Sequence, residues 1–196
     1  MVVTALYVDP QGCYAGLPGV ELWGLPDRDA RAYGGPHPVV AHPPCARWCQ
    51  LAGLVEARWG HRRGDDGGTF AAALAAVRRW GGVLEHPAYS AAWAVHGLLA
   101  PRAAGWWPAG DGGWTCHVEQ VHYGHPARKA TWLYAFGAPS LPSLCWGRSG
   151  GTALVSWCGN HVATGERRAR LSPREAAATP PAFRDILIDI ARGAKV

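Results

Sequence analysis

The chain has 196 residues, enough to bury one hydrophobic core and too few for two large domains, so we predict a single domain over residues 1–196. Its 19 basic residues outnumber its 14 acidic ones, and the formal net charge of +5 favours polyanionic partners such as nucleic acid. The sequence has neither the run of about 18 apolar residues that a membrane span requires nor a basic secretory leader, so we expect a cytoplasmic protein.

The chain opens with an apolar, β-branched stretch at residues 2–8, which predicts a first strand ending at Asp9. A loop with three glycines follows at 11–19. Glycines just beyond a first strand let the backbone approach a ligand closely, as in the nucleotide-binding turns of doubly wound folds. The spacing here is not the usual dinucleotide-binding pattern, so this feature alone is a weak indication of a nucleotide.

A second strand is predicted at residues 20–23, and a short helix at 27–33. An acid that follows the second strand of such a fold commonly binds the two ribose hydroxyls of a nucleotide. Asp27 is the better candidate for this role, and Asp29 is the next.

The stretch that organises the chain is residues 37–49, which contain a short buried-type strand at 39–41 followed by Pro43-Pro44 and Cys45. Ligands bind at strand ends in open α/β sheets, so a thiol on a rigid double-proline loop is a candidate nucleophile. The alternative is a cysteine that only fills the core, since cysteine is among the most buried residue types.

The next stretch, residues 46–59, has a helix-compatible composition, and a polar, glycine-rich break follows at 61–68 whose basic side chains either meet phosphate or are simply solvated. Alanines with apolar residues at helical spacing predict a helix at 69–80. A short strand then ends in Glu85. A carboxylate at one strand end beside a thiol at its neighbour is suited to protonating a ring nitrogen during nucleophilic attack.

The remaining elements follow from the same periodicities. They are strands at 114–121, 130–136 and 152–157 and a helix at 181–192. Together with the earlier elements, they predict an α/β fold with a mostly parallel, doubly wound sheet.

Four stretches, in chain order, match motifs of the DNA cytosine-5 methyltransferases. They are Pro43-Pro44-Cys45, the strand at 83–87 that ends in Glu-His-Pro, the segment 123–134 that begins Tyr-Gly-His-Pro, and Leu-Ser-Pro-Arg-Glu-Ala-Ala at 171–177. The chain therefore resembles a compact, phage-type relative of this family, over about half of its length. The resemblance implies a Rossmann-like methyltransferase sheet and transfer of a methyl group from S-adenosylmethionine to C5 of cytosine, in DNA or in a pyrimidine nucleotide.

The resemblance also implies roles for individual residues. Cys45 would add to C6 of the ring, and Glu85 would protonate or hydrogen-bond N3. Arg128 or Lys129 would hold the exocyclic oxygen of the ring or favour the thiolate of Cys45. The residues implied for the cofactor are Asp9, Gly12, Tyr14, Gly16, Asp27 and Pro43.

The chain departs from the family in three places. Leu25 stands where the family has the ribose-binding Glu, and no acid between 34 and 38 replaces the one that holds the adenine amino group. Only 34 residues, 137–170, occupy the position of the large target-recognition region. Cofactor binding and sequence-specific recognition of DNA are therefore the least supported parts of the resemblance.

Two other functions remain open from the sequence. His37, His42, Cys45 and Cys49 are close together and could bind zinc, although their spacing lacks the usual Cys-x-x-Cys turn. Alternatively, the chain is a non-catalytic protein that binds nucleotide or DNA in the cleft of a methyltransferase scaffold. The missing cofactor acids favour that alternative, whereas the thiol on the double-proline loop favours an enzyme.

Overall fold

A computed structural model describes residues 1–154 and 169–195. Within these ranges the strands are β1 (Val3–Leu6), β2 (Val20–Trp23), β3 (Val39–Ala41), β4 (Gly82–Pro87), β5 (Trp107–Pro108), β6 (Trp114–Glu119), β7 (Ala130–Phe136), β8 (Ala153–Leu154) and β9 (Ala169–Arg170). The helices are α1 (Ala52–Trp59), α2 (Thr69–Trp80), α3 (Ala91–Val95), α4 (Pro173–Ala177) and α5 (Pro181–Gly193). The fold is thus mixed α/β.

Seven of these strands form one mixed sheet in the order β2-β1-β3-β4-β7-β6-β5, and β8 pairs with β9 in a small parallel sheet beside it. β2, β1, β3 and β4 are mutually parallel, whereas β7, β6 and β5 are joined by antiparallel pairing. The prediction of a mostly parallel sheet is therefore wrong for half of the strand pairs. The segment 120–129 between β6 and β7 is too short for the dozen or more residues of a parallel crossover, so these strands must reverse direction.

Helices cover both faces of the sheet. α2 packs on one face with Phe70, Leu74 and Val77, against side chains that include Leu6 and Leu84. α5 packs on the other face, where its buried residues Phe183, Leu187, Ile188, Ile190 and Ala191 meet Val3, Val40 and Val83. Because successive strand residues point to opposite faces, both sides of these short strands are apolar and buried.

Most predicted elements are confirmed, and the differences lie at their ends. The helix expected at 27–33 is only a 3-10 turn, Ala30–Ala32, and the helical part of 46–59 is α1. The strand expected at 114–121 ends at Glu119, where the 3-10 helix Gln120–Tyr123 begins. The strand expected at 152–157 begins as β8, and residues 155–157 lie outside the described ranges.

The parallel strands β1, β3 and β4 have their carboxyl ends together at one end of the sheet, which we call its carboxyl edge. β1 lies between β2 and β3, so the chain leaves β1 towards one side and returns to the sheet on the other. This reversal of strand order is the topological switch point at which open α/β sheets bind their ligands. The fold therefore places the loops after β1 and β3, and the end of β4, around one crevice.

The described helices are also short. The longest, α5, has 13 residues. No helix in the described ranges has both the length and the apolar character needed to cross a membrane.

Candidate functional site

Cys45 is positioned by a tight turn that follows the double proline after β3. The backbone N–H groups of Trp48 and Cys49 both donate to the Cys45 carbonyl at 2.9 Å, so the turn is helical and closes on the cysteine. The Trp48 carbonyl accepts from Ala91 N–H at 3.0 Å, and the Trp48 indole donates to Asp66 at 2.8 Å. The half-buried Cys45 thiol is therefore carried by a turn that is fixed on two sides.

Glu85 lies within β4, one residue beyond the last residue pair between β3 and β4, and is only 8% exposed. His42 Nδ1 lies 3.0 Å from its Oε2, and Gln120 Nε2 donates to its Oε1 at 2.9 Å. Thr131 Oγ1 lies 3.4 Å from the same Oε1 and also accepts from Gln120 at 2.9 Å. The carboxylate is thus oriented by side chains from three different segments.

His42 links Glu85 to the glycine loop after β1. Its Nε2 lies 2.8 Å from the hydroxyl of Tyr14, a residue that is only 3% exposed. An ionised carboxylate can only accept, so Nδ1 carries a proton towards Glu85. In the neutral ring Nε2 then accepts from the Tyr14 hydroxyl. Tyr14, His42 and Glu85 therefore form one chain of hydrogen bonds across the crevice.

The charges around Glu85 keep it ionised. Burial alone would raise its pKa, but the hydrogen bond from His42 and the positive charge of Lys129 outweigh burial and lower the pKa to about 2. Burial, together with Cys49 and Glu85, raises the pKa of Cys45 to about 11, against the opposing effect of Lys129. At neutral pH the site therefore holds a carboxylate and a protonated thiol.

Lys129 and Arg128 have different surroundings. Burial lowers the pKa of Lys129, while Glu85, Cys45 and Cys13 raise it, so its ammonium group lies within the electrostatic reach of all three. Its Nζ donates to the carbonyls of Ala177 and Ala178 at the end of α4, at 2.9 and 2.8 Å.

Arg128 instead forms an ion pair with the buried Glu119, with its Nε 2.9 Å from Oε1. Neither Cys45 nor Glu85 takes part in that pair. Of the two basic residues suggested by the sequence, Lys129 is thus the one whose charge acts on the thiol and the carboxylate, whereas Arg128 is paired with Glu119.

The residues suggested for a cofactor are divided between two places. Asp27 lines a shallow cleft of about 280 Å³ after β2, together with Pro10, Glu21, Leu22, Gly24 and Arg28. Asp9 lies beside this cleft and uses its carboxylate to accept from Gln11 N–H at 2.9 Å. Asp29 is committed to Arg31, with which it forms a bidentate pair, so Asp27 is the freer acid.

The other suggested residues belong to the glycine loop and to the double proline. Gly12 turns the chain by donating its N–H to the Asp9 carbonyl at 2.8 Å, and Gly16 has a φ of 71°, which favours glycine. Tyr14 is buried and points to His42, and Pro43 is buried beneath the crevice. Tyr14 is therefore linked to Glu85 through His42, and neither Tyr14 nor Pro43 lines the cleft after β2.

Three site residues were missed by the sequence interpretation. His42 was considered only as a zinc ligand, and Gln120 and Thr131 were taken as ordinary strand residues. Burial of polar side chains at strand ends is the physical signal, because a buried Gln or Thr requires a hydrogen-bond partner. That signal becomes visible only once the antiparallel pairing of β4 with β7 is known.

The zinc hypothesis gains no support from the geometry. Both ring nitrogens of His42 are occupied, by Tyr14 and by Glu85. Across residues 1–154 and 169–195, no three His, Cys, Asp or Glu side chains are grouped so as to hold a metal ion.

The site thus consists of a thiol, an anchored carboxylate, a histidine and a half-buried lysine at the switch point of the sheet. No family model, curated protein or solved structure matches this chain. Its function is therefore inferred from the chemistry of these side chains.

Proposed function

We propose that the protein modifies a pyrimidine base by transferring a methyl group from S-adenosylmethionine to C5 of cytosine, with Cys45 as the nucleophile. The observation that carries the proposal is the placement of Cys45 in the loop after β3 and of Glu85 in the neighbouring parallel strand β4, just beyond the end of β3, with the charge of Lys129 acting on both. C5 of a pyrimidine is a poor nucleophile, and addition of a thiolate at C6 converts it into an enamine carbon that can attack an electrophile. A thiol and a carboxylate that meet one ring from adjacent loops are suited to that step.

Lys129 supports this chemistry by its charge. Because the Cys45 pKa is about 11, the thiol must lose its proton as the bond to C6 forms. A nearby cation favours the thiolate, and Lys129 opposes the rise of the Cys45 pKa. Its two hydrogen bonds to α4 hold the ammonium group in the crevice, so that its charge is fixed before a substrate binds.

Glu85 and His42 would handle the proton at the ring. At neutral pH Glu85 is an acceptor, so it can receive hydrogen bonds from the exocyclic amino group of cytosine. The proton that leaves the Cys45 thiol would pass through water to N3 as C6 is attacked, and Glu85, held in place by His42 Nδ1 at 3.0 Å, would accept a hydrogen bond from the resulting N3–H. After transfer, water would take up the C5 proton, and the Cys45 thiolate would leave C6 and regain the proton held at N3, which restores the aromatic ring.

The residues around the cleft after β2 fit part of a cofactor. Asp27 presents an exposed carboxylate there, which is the group that a ribose hydroxyl pair requires. The cleft, at about 280 Å³, is close to the lower end of the size range of ligand pockets, so it would hold the nucleoside portion alone. S-adenosylmethionine would supply the electrophilic methyl group.

A binding protein on the same scaffold is the second candidate. Both oxygens of Glu85 are already satisfied inside the protein, and the Cys45 thiol is protonated at neutral pH. This arrangement would suit a protein that holds a base without reacting with it. The two candidates differ in whether a covalent bond forms at Cys45.

The test is covalent trapping with an oligonucleotide that contains 5-fluorocytosine, in the presence of S-adenosylmethionine. Fluorine at C5 cannot leave as the C5 proton does, so the adduct at Cys45 should persist and add the mass of the oligonucleotide to the intact protein. Cys45→Ala should form no adduct, whereas Cys49→Ala, which removes the other thiol of the same turn, should still form it. Binding of the oligonucleotide without any adduct in the wild type would favour the second candidate.

A further inference from the structure

Tyr14 belongs to the glycine loop after β1, but its side chain is turned into the protein. The residue is only 3% exposed, and its ring lies in the apolar cluster beneath α5, which also contains Val3 and Val8. Beside it, the Cys13 carbonyl accepts from Arg184 of α5 at 2.7 Å, which fixes this part of the loop. A cofactor on the outer side of the loop would therefore find almost no surface of Tyr14 to contact.

The hydroxyl of Tyr14 determines which form of His42 the site contains. It lies 2.8 Å from His42 Nε2, and the other ring nitrogen, Nδ1, lies 3.0 Å from Glu85 Oε2. A carboxylate only accepts hydrogen bonds, so Nδ1 must carry the proton. Nε2 of the neutral ring is then an acceptor, and the Tyr14 hydroxyl is the donor that faces it. Tyr14 thus favours the one neutral form of His42 that can donate to Glu85.

This donation fixes the orientation of the Glu85 carboxylate. Gln120 Nε2 donates to Oε1 at 2.9 Å and His42 acts on Oε2, so each oxygen is held from a different side. Without the Tyr14 hydroxyl, His42 Nε2 would be a buried acceptor that lacks its donor, which costs free energy. The ring would respond by moving its proton to Nε2, which turns a lone pair towards Glu85, or by binding a second proton, which places a positive charge there.

We propose that Tyr14 is a positioning residue of the acceptor site, which acts through His42 to hold the Glu85 carboxylate in the orientation that a base would meet. The inference rests on the proposed function in assigning the base to Glu85. It differs from the resemblance to the methyltransferases, which implies that Tyr14 binds the cofactor. The burial of Tyr14 and the two hydrogen-bond distances favour the acceptor side.

The experiment is a double-mutant cycle on the rate of covalent trapping by the 5-fluorocytosine oligonucleotide. Tyr14→Phe removes only the hydroxyl and should slow trapping about tenfold or more, as expected when hydrogen bonding to a charged group is lost. His42→Asn places an amide N–H near the position of Nδ1 and has no tautomers. In that background the further change Tyr14→Phe should slow trapping less than about twofold, whereas a purely structural effect would be equal in both backgrounds.

Nitrogen-15 NMR of the His42 ring tests the link without any substrate. The wild-type ring should carry its proton on Nδ1 alone, and Tyr14→Phe should change this protonation; the signals are identified by their loss in His42→Asn. Tyr33→Phe is the matched control, because the Tyr33 hydroxyl donates to the His37 carbonyl at 2.7 Å, near the amino end of β3. This control should alter neither the spectrum nor the trapping rate.

The inference and the proposed function fail in different ways. Identical His42 spectra in the wild type and Tyr14→Phe, or equal slowing of trapping in both backgrounds, would overturn the inference alone. So would weaker binding of S-adenosylhomocysteine by Tyr14→Phe at a normal trapping rate, because Tyr14 would then serve the cofactor. If the wild type binds the oligonucleotide without reacting, the proposed transfer fails, and the same cycle is measured on the dissociation constant. A wild type that neither binds nor traps it would overturn both.

Discussion

The carboxylate of Glu85 is the group on which the geometry of the site depends most. Because it is buried and accepts from Gln120 and His42, removing its charge leaves polar groups without their best partner. We expect Glu85→Gln to reduce the free energy of unfolding by about 1–3 kcal/mol, measured by urea denaturation. The matched control is Glu21→Gln, since Glu21 pairs with Arg28 in an exposed ion pair, which is worth less than about 1 kcal/mol. Equal losses in both variants would show that Glu85 is not specially anchored.

The burial of His86, next to Glu85, predicts that the free energy of unfolding falls in acid. His86 is fully buried against Phe70 and Trp93, with the backbone of Pro44 as its polar neighbour. Burial lowers its pKa to about 4 from 6.5, although Glu85 acts in the opposite direction. The folded state thus binds this proton less readily than the unfolded state, so the associated stability is present above pH 6.5 and is lost as pH falls towards 4.

The size of this effect follows from the difference between the two pKa values. It corresponds to about 3 kcal/mol, since one pKa unit is worth about 1.4 kcal/mol. Replacing His86 by Phe should remove the part of the pH dependence that lies between pH 6.5 and 4. The measurement is the free energy of unfolding of both proteins across that range. Parallel pH profiles for the two proteins would contradict a neutral, buried His86.

At the scale of residues, the sequence predicted the thiol and the carboxylate of the site but not the side chains that surround them. Cys45 and Glu85 could be identified because Cys45 lies in the loop after the short apolar strand β3 and Glu85 lies near the carboxyl end of β4, and the carboxyl ends of parallel strands lie together. Lys129 could not be separated from Arg128, since adjacent residues differ in direction and only the fold shows which one meets the crevice. The partnership of His42 with Tyr14 joins segments 28 residues apart and leaves no local pattern in the sequence.

At the scale of elements, the approach of β2 to the end of β1 depends on Gly24. A Cβ at this position would come within 2.0 Å of the Val8 carbonyl oxygen, so any side chain would push the two segments apart beside the cleft that contains Asp27. We expect Gly24→Ala to destabilise the protein by about 1–3 kcal/mol or more in thermal unfolding, and to weaken any S-adenosylmethionine binding.

Gly34→Ala is the control for this prediction. No heavy atom of the described residues lies within 4 Å of a Cβ built there. Both substitutions reduce the freedom of the unfolded chain equally, so the difference between them isolates the clash. If both variants unfold at the same temperature, the segments beside Gly24 can move apart without cost.

Most helices and strands could be predicted from the sequence, because even short elements keep the spacing of apolar residues that is typical of a helix or a strand. α2 and α5 have clear helical stripes, and the strands β1 to β4 are apolar runs between glycine or proline stops. Capping was less predictable. Thr69 is the first residue of α2, but it is Asp66, three residues earlier, that accepts from the N–H groups of Gly68 and Phe70. The direction of β7 and β6 was missed because it depends on the length of their connection and not on residue type.

The whole molecule carries a net charge of +5, and its distribution near the crevice bears on the partner. A cleft of about 450 Å³ beside the Cys45 turn is lined by Pro44, Arg47 and His61, together with Ala46, Val55, Asp65 and Asp66. The loop 60–68 is fixed there by a hydrogen bond from Gly64 N–H to the Arg47 carbonyl at 3.0 Å. Exposed basic side chains of this loop therefore lie close to the turn that carries Cys45.

We expect the protein not to recognise a specific duplex sequence. A specific protein–DNA interface buries about 1,000 Å² or more of protein surface, and only 34 residues stand where the resembled family has its recognition region. Arg167 and Arg168, which could also contact phosphate, lie outside the described residues. Affinity should therefore come mainly from phosphate contacts, which carry little sequence information.

The last prediction is that binding of single strands depends on salt and involves Arg62 and Arg63, both exposed in the loop 60–68. Each phosphate contact on a single strand contributes about −0.7 to the slope of log K against log salt concentration, so the double variant Arg62→Gln/Arg63→Gln, which removes two contacts, should flatten the slope by about 1.4. Arg79→Gln, in the last turn of α2 at the opposite edge of the sheet, should leave the slope unchanged. Titrations of unrelated single strands over a range of salt concentrations measure the slopes. Tight, salt-independent binding to one particular sequence would mean that the protein reads bases through contacts other than these.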